Sequence, residues 1–486
     1  MGKERGLGAS ASRGAAFTMG GQLTRVLIQL LGVAVLARLL SPGDYGLIAM
    51  VLAIIGVGEL VRDFGLSSAS IQAKTLTSDQ RDNLFWISTG LGTFFAALVI
   101  AFSPLIAALY GEPKLQILSI ALSSTFILNG MSAQFRAGLT RTLKLGTLSL
   151  IEIVAQALGL GVGILMALLG TGYWALAGQQ IGQGLTLLVG MAVFSRWRPG
   201  RYHRAAPMRG LMSFGLNLFA SQLLVYASRN VDSVIIGARL GAEPLGLYNR
   251  AFQLLLLPLN QINAPASRVA LPVLSRLQDE ASRYRDYLIA GQTVVLQVVM
   301  AVFSVGCALA DPLVRLVLGD QWSGSVPLFQ ILCVAGTFQA AGYATYWVFL
   351  SKGLTKSQLS FSLATRPALI GLILVGSVWG VTGVAWAYSL GTMALWPIGL
   401  LWLARVSDAP VRDMFITGLR TIVGFGLAGL ACFAVPYLFI RPNGDVLTIF
   451  WGAAGWLACW LIQLLIWPAF RRNALIVIQT LKFLRM

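Results

Sequence analysis

The chain consists of long apolar stretches separated by short loops, and the loops on alternate sides differ in charge. Its 486 residues are 57% hydrophobic and only 11% charged, whereas about a quarter of the residues in a soluble domain are charged. A helix needs roughly 20 mostly apolar residues to span a bilayer. The sequence therefore predicts an all-α integral membrane protein.

Fourteen stretches meet this length criterion, and we predict a transmembrane helix at each of them. The connections between odd and even helices are very short, whereas those between even and odd helices are longer and basic. The predicted spans are 15–37, 45–62, 84–109, 115–135, 147–169, 173–195, 211–237, 246–268, 288–310, 325–350, 359–379, 382–404, 417–439 and 447–468.

The distribution of the basic residues predicts the orientation in the membrane. Most of the 36 Lys and Arg residues lie in the N-terminal segment, the even-to-odd loops and the C-terminal segment. Lys and Arg mark cytoplasmic loops, so both termini are predicted to be cytoplasmic. The net charge of +18 is then explained by loops that face anionic lipid headgroups, and we expect no nucleic-acid partner.

An internal repeat relates two parts of the chain that are about 200 residues apart. Residues 37–39 (ARL) and 45–47 (YGL) are similar to residues 238–240 (ARL) and 245–247 (LGL). Each pair joins a first helix to a second. Because each copy has six helices, both copies insert in the same orientation, which predicts a pseudo-two-fold axis along the membrane normal.

The repeat suggests how the chain is organised. We predict a six-helix bundle at 1–195, a basic cytoplasmic linker at 196–210 and a second six-helix bundle at 211–404. Residues 405–486 would add two transmembrane helices and a basic cytoplasmic tail. The single histidine, His203, lies in the linker, so we expect no buried histidine proton relay.

Two predicted helices carry a stripe of polar side chains. Spacings of three and four residues place such side chains on one helix face. Polar groups within a membrane normally face a bundle interior or a wet cavity, so the first helix of each bundle is predicted to line a central cleft. The stripes comprise Thr18, Gln22, Arg25 and Gln29 in the first helix and Gln222, Tyr226, Arg229 and Ser233 in the seventh.

Three arginines within or at the ends of these spans predict an anion-binding path. A guanidinium group stays charged and presents a planar fork of donors that fits phosphate oxygens. Arg25 would lie near mid-membrane, with Arg229 and Arg250 closer to the outer face. Two alternatives remain open: a structural pair between Arg229 and Asp232, and an outward extension of Arg250 to the membrane interface.

Carboxylates inside the predicted spans are candidates for ion coupling. Asp232 and Glu152 could exchange H+ or Na+ in a partly dry cleft. The alternatives are a structural pair for Asp232 and a solvated helix end for Glu152. Four cysteines lie in apolar runs without metal-ligand spacing, and GxxxxGK[ST] is absent. We therefore predict no metal, no bound cofactor, no ATP hydrolysis and no catalytic residues.

Several motifs resemble one known family. The chain is similar to the Wzx-like polysaccharide transporters of the MOP flippase superfamily, and most similar to the branch that handles colanic acid, succinoglycan and related exopolysaccharides. The resemblance is carried by Leu36-Ala37-Arg38-Leu39-Leu40-Ser41-Pro42-Gly43-Asp44-Tyr45-Gly46, Asp63-Phe64-Gly65-Leu66-Ser67, Ile71-Gln72, Phe85-Trp86 and Leu245-Gly246-Leu247-Tyr248-Asn249-Arg250-Ala251.

The resemblance implies a transporter rather than an enzyme. Its substrate would be an undecaprenyl-pyrophosphate-linked oligosaccharide, flipped from the inner to the outer leaflet of a bacterial inner membrane for exopolysaccharide, O-antigen or capsule synthesis. A polysaccharide polymerase and a chain-length regulator would be its partners, together with membrane lipids. Related flippases use acidic residues on helices seven and eleven for sodium, whereas helix eleven here offers Ser360, Ser362, Thr365 and Arg366.

Three other functions are weighed against this one. A peptidoglycan lipid-precursor flippase would share the fold and the fourteen helices. A multidrug exporter of the same superfamily would have twelve helices and an acidic site for cations. A membrane-embedded polysaccharide polymerase or ligase would be an enzyme, and we would expect charged residues in a large outer loop.

Overall fold

The computed structural model describes residues 2–56, 70–71, 76–208, 212 and 230–483. Within these residues, all regular secondary structure is helical. The chain divides into two compact units, Met1–Gly246 and Leu247–Met486. The organisation predicted from the repeat, with bundles at 1–195 and 211–404, stays a prediction.

The first unit contains α1 to α7 and the start of α8. Helix α1 packs along α5, α3 packs along α4, and α6 packs on both α4 and α5. The helices are α1 (Gly2–Leu39), α2 (Pro42–Ile55), α3 (Ser78–Tyr110), α4 (Lys114–Arg141), α5 (Leu145–Leu168), α6 (Trp174–Ser195) and α7 (residues 230–240).

The second unit contains the rest of α8 and the helices that follow. Helix α9 packs on α11 and α14, and α13 packs on α11 and α12. The helices are α8 (Ala242–Arg276), α9 (Ala281–Ala308), α10 (Ala310–Val317), α11 (Ser325–Ser351), α12 (Thr355–Gly376), α13 (Gly380–Val406), α14 (Val411–Ala434), α15 (Asp445–Ile466) and α16 (Pro468–Phe483). A π-helical turn, Val435–Ile440, extends α14.

The prediction of an all-α membrane protein is confirmed. Helices occupy the predicted spans wherever these fall within the described residues. By length and composition, nine continuous helical stretches in the described part could cross a membrane, and one of them covers both α12 and α13. The second predicted span continues beyond α2 into 57–69, and most of the span at 211–237 lies outside the described residues. Helix α16 was not predicted from the sequence.

Local sequence explains where two of these helices begin. Ser41 caps α2: its hydroxyl accepts from the Asp44 backbone N–H, the Asp44 carboxylate accepts from the Ser41 N–H, and Pro42 occupies the first turn. Thr77 and Gln80 form the same reciprocal cap at the start of α3. Each cap satisfies backbone donors that a helix N-terminus leaves unpaired.

Helix α1 approaches α5 closely because glycine faces the contact. A Cβ atom at Gly21 would lie 3.1 Å from Cβ of Ser149, and one at Gly32 would lie 3.0 Å from a methyl carbon of Leu160. Small residues allow membrane helices to pack with their backbones close together. This packing brings the polar stripe of α1 next to the polar residues of α5.

The starts of α2 and α8 make a second close approach, which is reciprocal. A Cβ atom at Gly46 would lie 1.7 Å from the Ala242 carbonyl oxygen, and one at Gly246 would lie 1.9 Å from the Pro42 carbonyl oxygen. These two glycines occupy equivalent positions in the YGL and LGL motifs of the repeat. Only glycine fits at either position while the backbones remain this close.

The basic linker is docked along the first turns of α3. The Asn83 side-chain amide donates to the His203 carbonyl oxygen and accepts from the His203 N–H, both at 2.7 Å. The Trp86 indole donates to the Gly200 carbonyl oxygen at 2.8 Å. Side chains of α3 therefore hold the linker backbone, while Arg196, Arg198, Arg201 and Arg204 remain exposed.

Candidate functional site

A cluster of charged side chains lies among the helices of the first unit. Glu152 of α5 accepts hydrogen bonds from two arginines, with Oε2 contacting Arg25 of α1 and Oε1 contacting Arg136 of α4. Three separate helices therefore supply the three charged groups. A carboxylate bound by two guanidiniums leaves the cluster with a net charge of plus one.

Two glutamines hold Arg25 in place. The Gln22 side-chain oxygen accepts from Nη2 of Arg25 at 2.6 Å, and the Gln156 amide donates to the Arg25 carbonyl oxygen at 3.0 Å. Gln22 lies one turn before Arg25 on α1, and Gln156 lies one turn after Glu152 on α5. Gln22 on α1 therefore holds the Arg25 side chain, and Gln156 on α5 holds the Arg25 backbone.

Within the described part of the chain, the arginines of the cluster have an unpaired donor and are accessible to a ligand. Arg25 Nε is buried and has no hydrogen-bond partner among the residues that the structure describes. The exposed fractions of the side chains are 25% for Arg25, 35% for Arg136 and 11% for Glu152. Both guanidiniums are thus more accessible than the carboxylate between them. An anion can reach the arginines more readily than a cation can reach the glutamate.

The structure brings together some of the residues that the sequence predicted. Gln22, Arg25 and Glu152 share one cluster, whereas Gln29 of the same predicted stripe is exposed. Arg136 was missed because the fourth span was predicted to end at residue 135, so Arg136 was assigned to the following loop. Helix α4 continues to Arg141, which places Arg136 inside the helix.

Asp232 of α7 is buried, with 6% of the residue exposed. One of its carboxylate oxygens accepts from the Ser233 backbone N–H at 2.8 Å. Burial of the carboxylate fits a role in ion coupling, and it fits a structural role equally well. The assignment of Asp232 to ion coupling stays a prediction.

Arg250 of α8 belongs to the second unit and is only 7% exposed. Its Nη1 donates to the Gln253 side-chain oxygen at 2.7 Å, and its guanidinium carbon lies 5.7 Å from the ring centre of the buried Trp322. The Arg250 side chain is therefore held inside the protein and does not extend outward to the membrane interface. Contact of Arg250 with substrate stays a prediction.

The remaining predicted site residues belong to the seventh predicted span. Gln222, Tyr226 and Arg229 lie outside the described residues. Their assignment to a substrate-binding stripe therefore stays a prediction.

The loops at one end of the first unit line an open cavity of about 580 Å³. It is lined by the turns between α1 and α2, α3 and α4, α5 and α6, and α7 and α8. Its charged lining residues are Asp44, Glu112, Lys114 and Glu243, so carboxylates outnumber the single ammonium. The net negative lining disfavours binding of a diphosphate. In this respect the cavity differs from the arginine cluster, which is net positive.

The described part of the chain shows no group of three or more side chains arranged to hold a metal ion. All four cysteines, Cys307, Cys333, Cys432 and Cys459, are free.

Comparison with known families shows what kind of protein contains this cluster. A family described as "Polysaccharide biosynthesis protein" matches residues 35–327, which is more than half of the chain. The chain belongs to this family. The match confirms the resemblance to polysaccharide transporters that the motifs after the first helix indicated.

Individual relatives support the same assignment. The chain is 26% identical to "Lipopolysaccharide biosynthesis protein WzxC" of Escherichia coli (strain K12), over 74% of each chain. It is 27% identical to "Teichuronic acid biosynthesis protein TuaB" of Bacillus subtilis (strain 168), over 85% of this chain and 88% of the relative. It is also 23% identical to "Succinoglycan biosynthesis transport protein ExoT" of Rhizobium meliloti (strain 1021), over 87% and 86%.

Solved structures share the fold. "Lipid II flippase MurJ, inward closed conformation" superposes with a TM-score of 0.71 at 16% identity, over 93% of this chain and 99% of that one. An inward-facing multidrug resistance MATE family transporter of the MOP superfamily gives a TM-score of 0.62 at 16% identity, over 81% and 96%. These likenesses show that the chain has the fold of these multi-pass membrane proteins, and the family match places it in a polysaccharide biosynthesis family.

Proposed function

We propose that this protein flips an undecaprenyl-pyrophosphate-linked oligosaccharide from the inner to the outer leaflet of a bacterial inner membrane. The product would supply exopolysaccharide, O-antigen or capsule synthesis. The observation that carries the proposal is the net positive cluster of Arg25, Arg136 and Glu152 among apolar helices. A charge of this sign inside membrane-spanning helices fits a transported anion.

The chemistry of such a substrate matches the cluster. A diphosphate and its sugars cannot enter hydrocarbon alone, so a carrier must give them a polar path while the polyprenyl tail stays in lipid. The guanidinium of Arg25 supplies charged donors for phosphate oxygens. The amides of Gln22 and Gln29 supply donors and acceptors for sugar hydroxyls. No bond needs to be formed or broken.

The sign of the charge separates this proposal from one alternative, and the named relatives separate it from another. A multidrug exporter that binds cations would need a net negative site, whereas this cluster is net positive. A polymerase or ligase would need catalytic groups at the bond that it forms, whereas the named relatives include a transport protein. A peptidoglycan-precursor flippase remains the second candidate, since the MurJ fold covers 93% of the chain.

Within the same proposal, transport is coupled to H+ or Na+ at Glu152 or Asp232. Arg229 and Arg250 would be further phosphate contacts along the path, with Gln222 and Tyr226 lining it. Alternating access would expose the path to one side of the membrane at a time.

The test of this function is the loss of export when Arg25 is removed. We expect Arg25→Ala to lower export of the lipid-linked repeat unit at least about a hundredfold, because a charge-assisted fork of hydrogen bonds is lost. Arg25→Lys should recover only part, since an ammonium lacks the bidentate geometry. Export is measured as surface polysaccharide in cells that lack their own flippase for that unit.

The matched control is Arg283→Ala. Arg283 forms an exposed ion pair with Glu280 at 2.7 Å, and such pairs contribute little to stability. Export should match the wild type at equal protein amounts. Wild-type export by the Arg25→Ala protein would rule out a diphosphate contact at this residue.

The proposed orientation has its own test. With both termini in the cytoplasm, Thr171 between α5 and α6 faces outward, and His203 in the linker faces inward. In a background without the four native cysteines, Thr171→Cys should react with an impermeant maleimide added to intact cells. His203→Cys should react only after the membrane is opened, because both positions are solvent-accessible but lie on opposite sides. The reverse labelling pattern would invert the topology.

A further inference from the structure

We infer that Glu152 is an internal competitor for the phosphate site and that Arg136 is the second guanidinium of that site. The Glu152 carboxylate occupies the donors that a diphosphate would take over when substrate binds. The inference rests on the proposed function, because it assumes that Arg25 contacts the diphosphate. It adds one binding residue and a means of releasing the substrate.

The first observation is that Glu152 divides its oxygens between two helices. Oε2 accepts from Arg25 on α1, and Oε1 accepts from Arg136 on α4. The two guanidiniums therefore point at one small anionic group from different directions. A phosphate oxygen pair presents a similar pattern of acceptors, so a phosphoryl group can take the position of the carboxylate.

The second observation is accessibility. The side chains of Arg25 and Arg136 are 25% and 35% exposed, whereas Glu152 is 11% exposed. An arriving anion can therefore meet both arginines before it displaces the glutamate. Nε of Arg25 is buried and has no hydrogen-bond partner in the described region. One N–H donor of this guanidinium is therefore still available to an anion.

The third observation is the charge balance around Glu152. The helices packed against α5 in the described region are α1, α4 and α6. They bring Arg25 and Arg136 to the carboxylate, while α6 has no ionisable side chain in its sequence. One negative charge thus faces two positive ones. A diphosphate carries more negative charge than a carboxylate and balances the arginines more completely.

Competition of this kind explains how a carrier can bind an anion inside a membrane and still release it. Two uncompensated guanidiniums would hold a diphosphate tightly, because charges attract strongly where water is scarce. A tethered carboxylate lowers the affinity by stabilising the empty state. It also replaces the phosphate when the substrate leaves, so the arginines are not left without an anion.

The experiment measures binding of inorganic pyrophosphate to the full-length protein in nanodiscs by isothermal titration calorimetry. Glu152→Gln has nearly the same size but no charge, so it should tighten pyrophosphate binding at least about tenfold. Arg136→Gln should weaken binding at least about tenfold, because it removes one of the two forks. Export in cells should fall with both variants, since one releases the substrate too slowly and the other binds it too weakly.

Asp413→Asn is the matched control for Glu152→Gln. Asp413 is paired with Arg285 at 2.6 Å near the surface, and its loss should leave pyrophosphate affinity unchanged. Unchanged or weaker binding by Glu152→Gln would overturn the competitor role. If Glu152→Gln does not yield a monodisperse protein, Glu152→Asp provides the test: its shorter carboxylate should bind the arginines less well and tighten binding, and unchanged affinity would overturn the inference.

The Arg25→Ala protein separates the two proposals in the same titration. If it binds pyrophosphate as tightly as the wild type, the proposed phosphate contact is wrong. If Arg25→Ala abolishes binding while Glu152→Gln fails to tighten it, the phosphate contact stands and only the competitor role is wrong.

Discussion

Replacing either Gly46 or Gly246 with alanine should abolish export while the protein still inserts in the membrane. A Cβ atom would lie 1.7 Å from the Ala242 carbonyl oxygen in the first variant and 1.9 Å from the Pro42 carbonyl oxygen in the second. Backbone cannot move aside as a flexible side chain can. The starts of α2 and α8 would therefore have to separate.

Separation of these two helix starts should open the end of the first unit that carries the loop cavity. In the proposed orientation this end faces outward, and alternating access requires a state in which it is closed. A variant that cannot close it should retain less than about a tenth of wild-type export. Each helix itself stays intact, so membrane insertion should be unchanged.

Cysteine labelling measures the opening directly. Leu245 is fully buried beside this contact, so Leu245→Cys should react slowly with an external maleimide when the native cysteines are replaced. Adding Gly46→Ala or Gly246→Ala should raise the labelling rate at least about tenfold. Adding Gly43→Ala should not, since a Cβ at Gly43 meets its nearest atom, Ser41 Oγ, at 3.8 Å. Slow labelling in all three backgrounds would contradict the expected opening.

The sequence predicted the fold more completely than it predicted the site. Apolar length and charge asymmetry indicated the helices because both follow from the cost of placing polar groups in lipid. Helix α16 was missed, since the residues after the fourteenth predicted span were assigned to a basic cytoplasmic tail. Phe470 in its first turn is fully buried, and its ring centre lies 5.7 Å from that of Phe425, so the start of α16 packs against α14.

The site was predicted as separate residues rather than as a cluster. Periodicity placed Gln22 and Arg25 on one face of α1, and the structure shows them hydrogen-bonded. It could not reveal that this face meets Glu152, because helix rotation and neighbours depend on packing over long separations in sequence. Arg136 escaped notice for a local reason: its helix extends beyond the predicted apolar span.

The repeat illustrates what a sequence motif can and cannot indicate. The YGL and LGL motifs identified Gly46 and Gly246 as equivalent positions. Their reciprocal contact depends on how two helix starts meet in space, and no short motif records that. The glycines satisfy a steric requirement, since each lies against a backbone carbonyl group of the other segment.

Loosening the linker from α3 is the second change with a large expected effect. Asn83 is 1% exposed and makes two hydrogen bonds of 2.7 Å with the His203 backbone. Leucine has a similar size but can form neither bond, so Asn83→Leu would leave a backbone donor and acceptor unpaired. At about 1 kcal/mol for each lost hydrogen bond, local opening of the linker should become at least about tenfold more frequent.

Limited trypsin digestion of the purified protein measures that opening. Arg201 and Arg204 are exposed, yet a protease needs an extended stretch of backbone, which a docked linker provides only when it opens. Cleavage in the linker should therefore be at least about tenfold faster in Asn83→Leu, and unchanged in the control Asn443→Leu, whose asparagine is exposed between α14 and α15. Equal cleavage rates in both variants would mean that the remaining contacts, such as Trp86 with Gly200, hold the linker without Asn83. A faster rate confined to Asn83→Leu would show that one buried amide fixes the basic segment against α3.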